Sequence, residues 1–239
     1  MKIAYFDCFS GISGDMCLGA LVDAGVSIKK LENELRKIPI KGYKLRAKKV
    51  KRAGFSATKV DVVQNSDPES SSGRTPNSEL RRWKGIEKII RNSSLSDEIK
   101  QKGLKIFRRL FEAETKVHDE AIDKVHFHEL GGVDCIVDIF GTITGLDILS
   151  VEKVYSSPIN LGNGSVKAVH GVLPVPAPAT AEILKGVPVY STSPEFNSGS
   201  FELTTPTGAA ILKGLSSGFG DIPVMTVEKI GIGAGSRDF

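Results

Sequence analysis

The sequence predicts an α/β or α+β fold: a mixed sheet, a helical middle section and an internal mobile loop at about residues 65–78. Three observations carry this reading. Short β-type runs alternate with helical periods in the first and last thirds. The middle third is helical throughout. One segment, 65–78, contains no aliphatic or aromatic side chain, so it buries too little surface to offset its ordering entropy. The composition belongs to an ordinary globular chain, with 239 residues, 40% hydrophobic, 25% charged and mean hydropathy -0.06.

The elements follow in order. Residues 2–6 form a short aromatic-rich strand that runs into the small-residue turn 7–15. Residues 16–24 read as a helix closed by Gly25, and Ser27 caps a second one along which Ile28, Leu31, Leu35 and Ile38 keep a helical period. Residues 43–52 and 55–64 read as a hairpin turning at Ala53-Gly54. Helical periods return over 79–91, over 97–118 behind Ser96, and over the apolar stretch 132–149. A strand at 151–155, short helices at 179–185 and 205–212, and a last strand at 223–230 complete the reading.

Several classes of protein are excluded or disfavoured. No run approaches the ~18 consecutive apolar residues of a membrane span, and the N-terminal apolar run stops at Asp7, too early for a secretory leader. Cys8, Cys17 and Cys135 make no disulfide framework, so a cytoplasmic protein without membrane contact is expected. Residues 29–59 hold 12 Lys/Arg against two Glu, a charge excess that would suit an anionic partner. Only Tyr43 and Phe55 interrupt it. A solvated lysine-rich face is therefore the simpler explanation, and a nucleic-acid module the lesser alternative.

Chemistry concentrates in two places. His126 and His128 stand at i, i+2, on one side of an extended segment, followed by Glu129 and then by Asp134 and Asp138 at i, i+4 on a helix. Imidazole with carboxylate suits first-row divalent metals, and Cys135 would add a softer donor. The second place is the turn 7–15. Ser10-Gly11 and Ser13-Gly14 lead from a strand into a helix, as in loops whose N–H groups cradle anions, while Asp7 and Asp15 could hold a metal. Thr204, Thr205 and Thr207 open another helix with hydroxyls and N–H groups suited to an anion. His170 lies in a loop, His118 ends a helix, and the glycine-rich 231–235 precedes no helix and is discounted as a nucleotide loop.

Five segments in order, Tyr5-Phe6-Asp7-Cys8-Phe9-Ser10-Gly11-Ile12-Ser13-Gly14-Asp15-Met16, His126-Phe127-His128-Glu129, Pro176-Ala177-Pro178-Ala179-Thr180-Ala181-Glu182, Glu202-Leu203-Thr204-Thr205-Pro206-Thr207-Gly208 and Gly233-Ala234-Gly235-Ser236-Arg237-Asp238, resemble the LarC family. The resemblance implies a nickel insertase acting on pyridinium-3,5-bisthiocarboxylic acid mononucleotide. Such an enzyme makes the nickel-pincer nucleotide of lactate racemase and related enzymes in a CTP-dependent reaction. It implies Ni²⁺ and CTP as reactants. Other nickel-pincer biosynthesis proteins and a lactate racemase-type apoenzyme are the implied partners, and a homo-oligomer is considered. It also implies that residues 1–239 form a single N-terminal domain, with a CTP-associated C-terminal domain or second reading-frame product as its complement. Family members commonly carry a histidine-rich run where residues 65–82 stand, whereas this loop is Ser/Pro-rich and has no histidine. A metal-dependent hydrolase or phosphatase using Asp7, Asp15, His126 and His128 is the alternative enzyme reading.

One prediction follows from the loop alone. Deleting 66–77 is expected to leave both the thermal midpoint and nickel affinity unchanged, because closure entropy varies by only ~0.6 kcal/mol per doubling of loop length. A large loss of stability would mean that the segment is docked.

Overall fold

A computed structural model of the chain describes residues 1–64, 80, 82–125, 132–168, 171–192 and 200–236. The expected loop 65–78 and the His126-to-Glu129 motif lie outside the described residues, as do His170 and the last three residues.

The first half runs β1 (Ile3–Phe6), α1 (Gly14–Asp23), α2 (Ile28–Leu35), β2 (Tyr43–Arg52), β3 (Phe55–Gln64), α3 (Trp83–Arg91), α4 (Asp97–His118) and α5 (Val133–Ile148). The second half runs β4 (Lys153–Ser156), β5 (Ile159–Asn160), β6 (Gly162–Asn163), β7 (Ser165–Ala168), β8 (Gly171–Pro174), α6 (Pro178–Ile183), β9 (Val189–Tyr190), β10 (Phe201–Glu202), α7 (Pro206–Leu215) and β11 (Ser216–Phe219). The class is α/β. Among the described residues the strands form one parallel three-stranded sheet, ordered β1-β4-β11, and four two-stranded pairs. No helix of the described residues is long and apolar enough to cross a membrane.

Local chemistry explains the boundaries. Ser27 and Ser96 accept N–H bonds from Lys30 and Ile99 at 3.4 Å each, capping α2 and α4. Asp119 ends α4 in the left-handed region, and the His118 imidazole meets Glu114 one turn back at 3.3 Å. Ala53 and Gly54 both take positive φ, +46° and +83°, the geometry of a tight type I′ hairpin between β2 and β3.

The core gathers on α5, which is buried along nearly its whole length. Phe140 stacks on Phe107 of α4 with centroids 6.0 Å apart, while Trp83 meets Phe111 edge-on at 5.9 Å. Gly141 and Gly145 let α5 approach α1 until Leu18 and Leu21 fill the space that larger side chains would need. That close crossing brings the first turn of α1 against Asp138 in the second turn of α5.

Two elements differ from the sequence expectation. Residues 223–230 form no strand, despite their β-branched alternation, and the third strand of the parallel sheet is Ser216–Phe219 instead. Its Ser-Ser-Gly-Phe sequence has little strand preference, so pairing with β4 imposes the conformation. The glycine-rich 231–235 is a structural strap. Thr58 N–H donates to Ile232 O at 2.8 Å, and Ala234 N–H donates to Thr58 O at 2.9 Å, tying the strap to β3 across α1.

The basic segment turns out to be partly an internal charge system. β2 is exposed at most positions, as the solvated-face explanation requires. Yet Lys49 pairs with Asp23, Lys48 pairs with Asp61 at 3.2 Å, and Lys59 is enclosed.

Candidate functional site

The turn between β1 and α1 is built by close backbone approach. Gly11, at φ +73°, donates its N–H to Cys8 O at 2.9 Å, and an added Cβ would strike the backbone of Leu203. Ile12 N–H donates to Leu203 O and Thr205 N–H donates to Ile12 O, each at 3.0 Å. These bonds lock the turn against the start of α7. Gly208 completes the contact, since a side chain there would collide with Ile12 O. The two loops that the sequence marks as anion-binding are therefore neighbours.

Their hydroxyls have different duties. Thr204 is fully buried and donates to Asn160 O at 2.6 Å. Thr205 accepts from Gly208 N–H at 3.2 Å as the cap of α7, and Thr207 faces the Cys135 thiol at 3.7 Å. Ser10 stays exposed, and Ser13 donates to Asp15. Ser10 is thus open to a ligand, while Gly11 is buried with its N–H on Cys8 O and the three threonines hold α7 in place.

The carboxylates divide into two groups. Asp7 accepts from Phe9 N–H at 3.1 Å, and its charge acts on Tyr5, Cys8 and Tyr190. At the other end of the turn, Asp15 accepts from Met16 N–H and from Lys59 Nζ, both at 2.9 Å. Lys59 Nζ also reaches Asp61 Oδ1 and Ser236 Oγ, each at 3.2 Å, so its three protons face three oxygens. Burial alone would lower the Lys59 pKa, but the hydrogen bonds and charges of Asp15 and Asp61 hold it above the ordinary value. Sequence reasoning missed this residue by counting it among surface lysines. Its shared strand face with Asp61, two residues on, was the available signal.

Asp138 closes this second group from α5. Its side chain fills the space that a Cβ on Gly14 would need, at the first turn of α1. Burial, and then the negative charges of Asp15 and Asp134, push its pKa well above the usual 3.8, with Lys59 opposing only in part. Asp134, one turn earlier and exposed, accepts from Gln64 Nε2 at 3.0 Å. Asp15, Asp134 and Asp138 are thus brought together, with Asp7 apart from them. Among the described residues, no three His, Cys, Asp or Glu side chains are placed to hold a metal ion. The thiols do not change this. Burial pushes Cys8 to about 11 and Cys135 to about 12, and lifts Cys17 well above its ordinary value, so all three are protonated near neutrality.

The raised carboxyl of Asp138 has a consequence for stability. Below 3.8 the group is protonated whether the chain is folded or unfolded, and folding loses nothing. As pH rises toward the folded-state value, the unfolded chain ionises first, and stability falls. Asp138→Asn is therefore expected to raise the thermal midpoint at pH 8, with the gain shrinking as pH is lowered toward 4. Each kcal/mol recovered appears as roughly 2–4 °C for a chain of this size. Thermal scans across that range that show no gain at pH 8 would remove the argument.

An exposed Ser10 in the β1–α1 turn and the carboxylates gathered around Lys59 make this face of the α/β frame the candidate site. The particular family is clear from comparison: residues 4–239 match the family described as nickel insertion protein, and the chain belongs to it. Three curated relatives carry the name pyridinium-3,5-bisthiocarboxylic acid mononucleotide nickel insertion protein. That of Geobacillus kaustophilus is 50% identical over 238 residues, covering 100% of this chain and 57% of its own length. Those of Desulfitobacterium hafniense strains DSM 10664 / DCB-2 and Y51 are 47% and 46% identical over 238 residues, covering 100% of this chain and 56% of theirs. The chain thus spans a little over half the length of these relatives. No solved structure matches it.

Proposed function

We propose that this chain carries the metal- and substrate-handling part of a nickel insertase. Its substrate would be pyridinium-3,5-bisthiocarboxylic acid mononucleotide and its cargo Ni²⁺. The observation that carries the reading is the match along the full chain to relatives that bear this name. The site supports it: the exposed Ser10 suits a phosphate, and α5 presents Asp134 and Asp138 a few residues after His126, His128 and Glu129.

In this reading His126, His128 and Glu129 hold Ni²⁺ and leave exchangeable positions for the incoming sulfurs. Asp134 or Asp138 accepts an N–H from a ligating imidazole and fixes its orientation. The two thiocarboxylate sulfurs donate lone pairs to nickel. The ring C–H electron pair then becomes the nickel–carbon bond, nickel remains divalent, and the released proton passes to a base. Glu129, freed from the metal, or a neutral imidazole is placed in sequence to accept it. Ser10 takes the phosphate end, with Gly11, Ser13 and Gly14 shaping the turn that presents it. Thr204, Thr205 and Thr207 support that cradle from α7. CTP consumption, and exchange with partner proteins of the pathway, belong to the same proposal.

The test is direct. Incubation with Ni²⁺ and the mononucleotide, with and without CTP, is expected to yield a product heavier by one nickel and lighter by two protons than the neutral dithioacid, read by mass spectrometry. Hydrolysis of phosphate esters without nickel capture would favour the hydrolase alternative instead.

A further inference from the structure

β1 pairs with β4 alone among the described residues, so its other edge carries no strand. Facing that edge is a cleft of about 1300 Å³, bounded by β1, by Met16 and Ala20 of α1, and by residues 221–233. This last segment is an arch. It leaves the sheet at Gly220, whose N–H donates to Ser156 O at 2.9 Å and whose carbonyl accepts from the Tyr5 hydroxyl at 3.0 Å. It lands on α1 where Ile232 N–H donates to Asp23 at 3.0 Å. Between those anchors it has no regular structure, and Ile222, Val224, Val227 and Ile230 are each more than half exposed.

We propose that this cleft is a docking groove for an extended apolar polypeptide strand. The strand adds to the free edge of β1, and is supplied by the part of full-length nickel insertion proteins that lies outside the matched region. Four observations lead there. The groove exceeds the ~300–1,000 Å³ of ordinary small-molecule pockets. A bare strand edge offers a row of N–H and C=O groups that only another backbone satisfies in register, while apolar walls select its side chains. Parallel sheets are normally enclosed on both faces, yet among the described residues this one has three strands and leaves an edge of β1 beside the cleft. The relatives are longer, this chain covering only 57% and 56% of their lengths, so they contain the chain length from which such a strand could come.

A second copy fits less well. Residues 221–233 line the same cleft as β1, so a two-fold pairing of β1 edges would have to accommodate both arches. The groove also reaches the candidate site, since Asp7, Ser10 and Gly11 line it. A docked strand would form a wall beside the substrate loop.

Amide hydrogen exchange, read by mass spectrometry, tests this on the full-length Geobacillus kaustophilus protein, its matched 238-residue region and the present chain. The strand matching β1 is expected to exchange roughly a hundredfold slower in the full-length protein than in either shorter chain. Equal exchange in all three overturns the proposal. Protection in the shorter chains that grows with protein concentration overturns it in favour of a second copy. Protection conferred on them by the mononucleotide overturns it in favour of a small-molecule cleft.

Discussion

Alanine at both His126 and His128 is expected to abolish one-to-one nickel binding and, with it, insertion. The two imidazoles are the nitrogen donors of the proposed ligand set. Removing groups that merely orient such ligands already lowers affinity about 10–100-fold, so losing both donors should exceed the upper figure. Equilibrium dialysis measures the first effect and product mass the second. Asp134→Asn or Asp138→Asn, made singly, should fall inside the 10–100-fold range if one of them orients an imidazole. A double variant that still binds one nickel per chain and still supports insertion would falsify the assignment. Retained binding with insertion lost would instead move the histidines from holding the metal to the proton-transfer step.

Much of the frame was legible because local signals and tertiary contacts agree. α4 begins after Ser96 and ends at His118, as its cap and period predict, and the β2–β3 hairpin turns at Ala53-Gly54. The signal failed where only tertiary contact decides. Residues 223–230 have the composition of a strand but no pairing partner among the described residues, while Ser216–Phe219 has a partner and poor propensity. The site was legible as residue types but not as an arrangement. The sequence placed Asp7 with Asp15 because they share a turn, yet that turn points them at different neighbours, Tyr190 and Lys59. Asp138 joins Asp15 only because glycines at 141 and 145 let two helices cross closely. Lys59 was invisible among 12 basic residues of its segment, since burial is a property of the packed strand and not of the side chain.

Gly233→Ala is expected to produce a large loss of stability. A Cβ there would lie far inside contact distance of Met16 O and close to Ala20 N, both backbone atoms of α1. Neither can rotate away, so the strap must lift. Lifting it breaks the paired bonds of Thr58 with Ile232 and Ala234, and releases Ser236 from Lys59. Overpacking costs ~1–3 kcal/mol and each lost hydrogen bond ~1 kcal/mol, which together give about 3 kcal/mol or more. At roughly 2–4 °C per kcal/mol, the thermal midpoint should drop by about 6–12 °C. Gly54→Ala provides the contrast, because that glycine has positive φ, unlike Gly233, but nothing within 4 Å. It should cost only the backbone strain of an alanine in the left-handed region, about 1–2 kcal/mol. The strap variant should also loosen Asp15, since Lys59 loses one of its three oxygens, so nickel handling should weaken at temperatures where the chain is still folded. An effect of Gly233→Ala no larger than that of Gly54→Ala would mean that the strap is not clamped between α1 and β3, and its role in holding Lys59 on Asp15 would fall with it.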